Sequence, residues 1–170
     1  FETGIAPGDQ APGLVFAVVT AVSYALTLAL LDPANFPATG ALRAAVVVLL
    51  VALLVAPAVL HLLAAIQTLC LLAAVRDRAG VSETVQVICY SLAPLVALGV
   101  PNAYVQALVV CWSGSLLIVG TAVVHKLPVP KAIAAVSLPG VLLLGYGFGG
   151  NAAVWTVAIQ LVEGVETILG

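Results

Sequence analysis

The chain has 170 residues, of which 64% are hydrophobic and only 7% charged, with a formal charge of −2. Soluble domains average about a quarter charged residues, so this composition cannot cover a water-facing surface; lipid is the solvent it suits. Five basic residues without a run give no nucleic-acid footprint, which needs a basic face.

Residues 1–13 form a polar lead rich in turn formers, with Pro7, Gly8, Asp9, Pro12 and Gly13. The chain begins at Phe1 rather than Met, so a preceding piece is expected, and Glu2 and Asp9 without a basic run do not read as a secretory leader. A first span is expected over 14–31, closed by Asp32-Pro33 and a short loop holding Pro37 and Gly40. The next uncharged run, 44–75, would be roughly 48 Å long as one helix, against a hydrocarbon core of about 30 Å. One long helix kinked at Pro57 is the favoured reading; extension beyond the bilayer and a re-entrant pair are the alternatives.

Arg76-Asp77-Arg78-Ala79-Gly80 is the clearest loop. Beyond it lies an uncharged interval too long for one helix, read as a hairpin of spans over 83–99 and 103–124 joined at Val100-Pro101-Asn102. Pro101 stops the first arm, because proline disfavours helix at the residue before it. A second basic loop, His125 to Lys131, carries Pro128 and Pro130, and a fifth span over 132–148 is interrupted by Pro139-Gly140. The remaining 151–170 read as an amphipathic helix. Thr156, Gln160, Glu163 and Thr167 make one stripe and Val154, Ala158, Leu161, Val165 and Ile168 another. Its two glutamates disfavour a sixth span, because carboxylates are costly in a bilayer.

Tyr90-Ser91-Leu92-Ala93-Pro94, Val100-Pro101, Trp112, Gly120, His125 and Pro139 together resemble the Yip family of Ypt/Rab-interacting multi-pass membrane proteins. The opening FETGIAPGDQAPG is similar to the segment before the first span of archaeal members. The resemblance covers about residues 1–150. It implies five spans, a cytoplasmic amino terminus and a role in membrane organisation or trafficking, and it supplies no catalytic motif.

Charge gives the orientation separately. Arg76 and Arg78 fall between spans two and three, Lys126 and Lys131 between spans four and five, and Arg43 alone on the opposite side. With five spans the two basic loops share a side, which positive-inside bias makes cytoplasmic, as is then the amino terminus; the carboxyl end is outside.

Polar residues inside spans are functional candidates by default. His61 could relay a proton, or could bond the carbonyl that Pro57 leaves free. Gln86 and Tyr90 share a helical face, with Ser91 beside them, while Gln106, Ser113 and Ser115 lie on the fourth span; hydrogen bonds between the two arms would hold the hairpin. Pro94 and Pro101 belong to the family pattern. Trp112 and Trp155 read as lipid-facing or interfacial anchors. His125, at a helix carboxyl end, is expected charged, capping the helix or touching headgroups. Asp32 and Arg43 could pair across the first loop. Cys70, Cys89 and Cys111 are scattered in apolar runs and read as small packing residues, without a zinc or disulfide pattern. The Gly145/Gly149 spacing suits close helix approach or a span end. No nucleophile–base pair or HExxH is present, so no catalytic residue, metal or cofactor is expected.

The sequence therefore reads as an all-α integral membrane protein of five spans with an amphipathic carboxyl-terminal helix. The leading function is a non-enzymatic scaffold contacting lipids and other membrane proteins or copies of itself. Two alternatives remain: a small channel or carrier lined by His61, Gln86, Tyr90, Gln106 and Ser113, and an accessory subunit of a larger membrane complex.

Overall fold

The computed structural model describes residues 5, 7–31, 40–75 and 78–169. Every regular element among them is helical. Helix α1 spans Ala11–Leu31. Helix α2, Ala41–Leu50, runs through a π-helical turn, Val51–Val55, into α3, Ala56–Ala74. Helix α4, Val81–Ser91, continues as a 3₁₀ turn over Ala93–Ala97. Then come α5, Ala103–Val124, and α6, Val129–Gly140, which passes into a second π-helical stretch, Val141–Gly147. The last helix is α7, Gly150–Leu169.

Among the described residues four helices are long and apolar enough to cross a membrane: Ala11–Leu31, Ala41–Ala73, Ala103–Val124 and Val129–Gly147. The run expected over 44–75 is thus one continuous helix of 33 residues rather than a re-entrant pair. The π turn has a local cause. Pro57 has no N–H to give, and just before it the ladder widens, the Ala56 N–H reaching the Val51 carbonyl five residues back. The stretch after Pro139 behaves alike, with the Phe148 N–H on the Leu143 carbonyl at 3.0 Å. Pro139-Gly140 therefore changes the helical register there without ending the helix.

The expected third span is the element that differs. Val81–Ala97 is shorter than the other four and changes from α to 3₁₀ at Ala93-Pro94. Pro94 explains the change, since it removes an N–H and disfavours the α conformation at Ala93. This element is nonetheless the centre of the bundle. Val85, Val87, Ile88, Cys89, Leu92 and Leu95 are all buried, and α1, α3 and α5 pack around it. By contrast only 11% of the most apolar stretch of Ala41–Ala73 is buried, so the long helix faces outward for most of its length.

The hairpin turn follows the sequence closely. Asn102 caps α5, its Oδ1 accepting from the N–H groups of Tyr104 and Val105 at 3.0 and 3.1 Å. The glycines mark close approaches. A methyl on Gly99 would lie 2.6 Å from Thr27 Cβ on α1, and one on Gly150 2.7 Å from Val110 Cγ1 on α5.

Candidate functional site

The buried faces follow helical spacing. On α3 they are Leu60, Leu63, Ala64, Gln67 and Leu71, so an amide falls within an otherwise apolar stripe. On α5, Thr121 occupies the equivalent inward position, and the Gln67 Nε2 donates to its Oγ1 at 2.9 Å. One turn further, His125 follows the last residue of α5 and packs against α4, its Nε2 lying 3.4 Å from the Thr84 Oγ1. The Thr84 hydroxyl donates to the Gly80 carbonyl at 3.1 Å, so the imidazole gives its proton to Thr84 from Nε2. All four side chains are buried. Two of their polar atoms, the Gln67 Oε1 and the His125 Nδ1, have no hydrogen-bond partner among the described residues.

This polar end opens into a cleft of about 400 Å³ lined by Arg78, Ala79, Val124, His125 and Lys126. The loops after α3 and after α5 therefore meet at one end of the bundle. Lys126 closes α5: its N–H reaches the Val123 carbonyl at 3.3 Å, and the Leu127 N–H reaches the Ala122 carbonyl at 2.8 Å. That is the Schellman arrangement, whose left-handed residue is usually glycine. Here it is Lys126, at φ 52, the one non-glycine residue with positive φ among the described residues.

His125 departs from the sequence expectation. It is only 1% exposed, and burial pushes its pKa below the ordinary imidazole value; Glu83 opposes that shift and Arg78 adds to it. The helix carboxyl terminus would favour the charged form, but desolvation outweighs so small an effect, typically about 0.3–1 kcal/mol.

The remaining candidates are dispersed. His61 is exposed on the outside of α3, its Nδ1 2.8 Å from the Pro57 carbonyl. It thus engages the carbonyl of the proline itself, and not that of Leu53, whose usual N–H partner the proline removes. Gln86 is buried against α1, where a methyl on Gly13 would lie 3.3 Å from its Cα, and Tyr90 packs on Phe16 with ring centres 5.6 Å apart and the rings tilted at 55°. The serines differ from expectation: Ser91 donates to Ile88 O at 2.7 Å and Ser115 to Cys111 O at 2.9 Å, both within their own helices. Ser113 is buried, its Oγ without a partner among the described residues. Gln106 does join the arms, donating to the Leu98 and Val100 carbonyls at 3.3 and 3.0 Å.

Pro94 lies half-buried in the 3₁₀ turn, and Pro101 is exposed at the hairpin tip. Trp112 and Trp155 point outward, as do Lys126 and Lys131, while Arg78 is half-buried. Arg76, and with it part of the basic loop, lies outside the described residues, as does the Asp32 of the suggested Asp32–Arg43 pair. Gly145 is buried against Asn151, and Gly149, at φ 70, lies between the π-helical stretch and α7, so this glycine pair turns the chain into α7.

Gln67, Thr84 and Thr121 were absent from the sequence candidates. The signal for Gln67 was its place on the Leu60, Leu63, Ala64, Leu71 period; the two threonines offered none, being small and common in such helices.

Compared with curated proteins and with solved structures, the chain has no match. The family model of the Yip1 domain matches residues 2–150, nearly the whole chain. With the all-helical bundle and its four membrane-length helices, that match makes this chain a member of the Yip1 domain family of membrane proteins.

Proposed function

We propose that the chain is a non-enzymatic, five-pass membrane scaffold that acts through contacts with lipids and with other membrane proteins. The observation that carries this reading is how much apolar helix the fold leaves uncovered. None of α2 is buried, and on α7 every described side chain from Ala158 to Thr167 is exposed. The interior also favours a scaffold over a channel. His61 faces outward, Tyr90 packs on Phe16, and Gln106 closes the turn, so these groups line no common path.

The fifth pass in this reading is Val81–Ala97. Eleven α-helical residues and a five-residue 3₁₀ turn extend about 26 Å, close to the roughly 30 Å of a hydrocarbon core. Its neighbours shield it from lipid, so it needs less hydrophobicity than they do. The long helix Ala41–Ala73 bends at the π turn before Pro57, which fits its excess length within the bilayer. Arg76, Arg78, Lys126 and Lys131 set the cytoplasmic side, with the amino terminus inside and the carboxyl end outside.

Gentle native extraction followed by mass spectrometry tests the scaffold. A stoichiometric membrane-protein partner is the expected result, and it would also admit the accessory-subunit version of the reading. A homo-oligomer holding only lipid, and conducting solutes in liposomes, would overturn it.

A further inference from the structure

We propose that the cleft between the loops after α3 and α5, lined by Arg78, His125 and Lys126, seats the phosphate of an anionic ligand at headgroup depth. The inference deepens the lipid-contact half of the scaffold reading and rests on it.

Three observations converge. The first is charge from two separate loops. Arg78 and Lys126 line one cleft of about 400 Å³, and among the described residues neither has an ion-pair partner. Among the described residues Glu83 is the carboxylate that acts on His125, and Arg78 and Lys126 are two cations beside it. Guanidinium and ammonium groups are the usual phosphate partners, the first as a fork of donors and the second as a point charge.

The second is depth. The helix Ala103–Val124 ends at Val124, which itself lines the cleft, and Ala41–Ala73 ends shortly before Arg78. The cleft therefore lies where two membrane-length helices stop, at the level of lipid phosphates. Basic pockets between such helices are where anionic headgroups bind. Ala79 and Val124 give the cleft an apolar side suited to the glycerol end of a lipid.

The third is strain. Lys126 holds the left-handed closing position of α5 at φ 52, where glycine would close the same turn without a Cβ penalty. The lysine side chain is thus kept at a conformational cost beside the cleft. Such outliers gather at ligand sites. His125 adds a ring to the cleft wall, its Nε2 held by Thr84 and its Nδ1 without a partner among the described residues.

The test uses the full chain in neutral detergent, offered phosphatidylglycerol or phosphatidylcholine, with retained lipid counted by native mass spectrometry. The anionic lipid is expected to be retained in preference. Arg78→Gln and Lys126→Gly should each lower that retention about fivefold, the effect of one basic group near a lipid surface. Lys126→Gly relieves the left-handed strain and should melt no lower than the parent, so its loss of lipid would not reflect unfolding. Inorganic phosphate at millimolar concentration separates two sources of the same chemistry. Displacement of the lipid makes free phosphate the ligand, and retention makes it the lipid phosphodiester. Unchanged phosphatidylglycerol retention in both variants overturns the seat. If the native extract still carries its protein partner in that case, the scaffold reading survives the loss.

Discussion

Gln67 offers the sharpest test of how the interior is held. Its amide is fully buried, donates once to the Thr121 hydroxyl at 2.9 Å, and leaves Oε1 without a partner among the described residues. A side-chain hydrogen bond between helices in a bilayer is worth about 0.6 kcal/mol on average and about 1.7 at most. An unsatisfied buried acceptor costs about 1–3 kcal/mol. Gln67→Leu conserves volume roughly, gives up the bond and removes the orphaned acceptor, so the net change is a stabilisation of about 1 kcal/mol. The Thr121 hydroxyl can turn to its own helix carbonyls, as the Thr20, Thr27 and Thr68 hydroxyls do. Thr121→Val has the opposite sign, because it strands the whole amide, and should cost about 1–3 kcal/mol. Combining the two should restore the stability of Gln67→Leu alone. Denaturant unfolding in bicelles with a double-mutant cycle reads all three. If Gln67→Leu proved as destabilising as Thr121→Val, the reasoning would fail, and Oε1 would have to be held by a water or ligand.

Three further outcomes are expected. Gly99→Ala places a methyl 2.6 Å from Thr27 Cβ and 3.0 Å from the Leu28 backbone nitrogen, so it should lower stability by about 1–3 kcal/mol in the same unfolding assay. Asn102→Ala removes the two bonds that cap α5 and should cost about 1 kcal/mol, with Asn102→Asp recovering most of it. Melting temperature should be level above about pH 6.5, the ordinary imidazole value, and fall as pH drops below it. The sign follows from a folded-state pKa held below the unfolded one: protonation then favours the unfolded chain. Among the described residues Glu83 on α4, with Arg78 and Lys126 in the flanking loops, are the charged groups around that ring, and Lys131 lies exposed on α6. His125→Gln should flatten the profile. A profile as steep as the parent's would assign the titration elsewhere.

Helix boundaries were largely legible in the sequence, because prolines, glycines and charges punctuate an otherwise uniform apolar chain. The turn at 100–102 and the start of α5 were visible in Pro101 and Asn102, and the continuity of the long second helix in the uncharged run 44–75. Which face of each helix turns inward was not legible from hydropathy, because Leu and Val line both sides. His61 is the one imidazole in its run, yet it falls off the Leu60, Leu63, Ala64, Leu71 period, while Gln67 falls on it. Period, rather than polarity alone, separates the two. His125 is similar: its place in the sequence gives the helix terminus, but only α4 lying against it gives the burial.

The distribution of side-chain size shows where function should be sought. In lipid no hydrophobic force drives helices together, so close packing by small residues must do it. On α1 the buried residues are Gly13, Ala17, Thr20, Ala21 and Ala25, while Val15, Val19, Leu26 and Leu30 face outward. The large apolar residues are therefore not reserved for a core, and they lie where another surface can meet them. Lipid suffices for that along α1 and α2. It does not suffice for α7, where exposed Val154, Leu161 and Val165 share a helix with exposed Gln160, Glu163 and Glu166. Carboxylates are costly at bilayer depth, and without lysine or arginine this helix lacks the usual attraction to an anionic surface. In the proposed scaffold a partner protein at the membrane face would satisfy both stripes, so replacing Leu161 and Val165 by serine should release that partner while leaving the bundle folded.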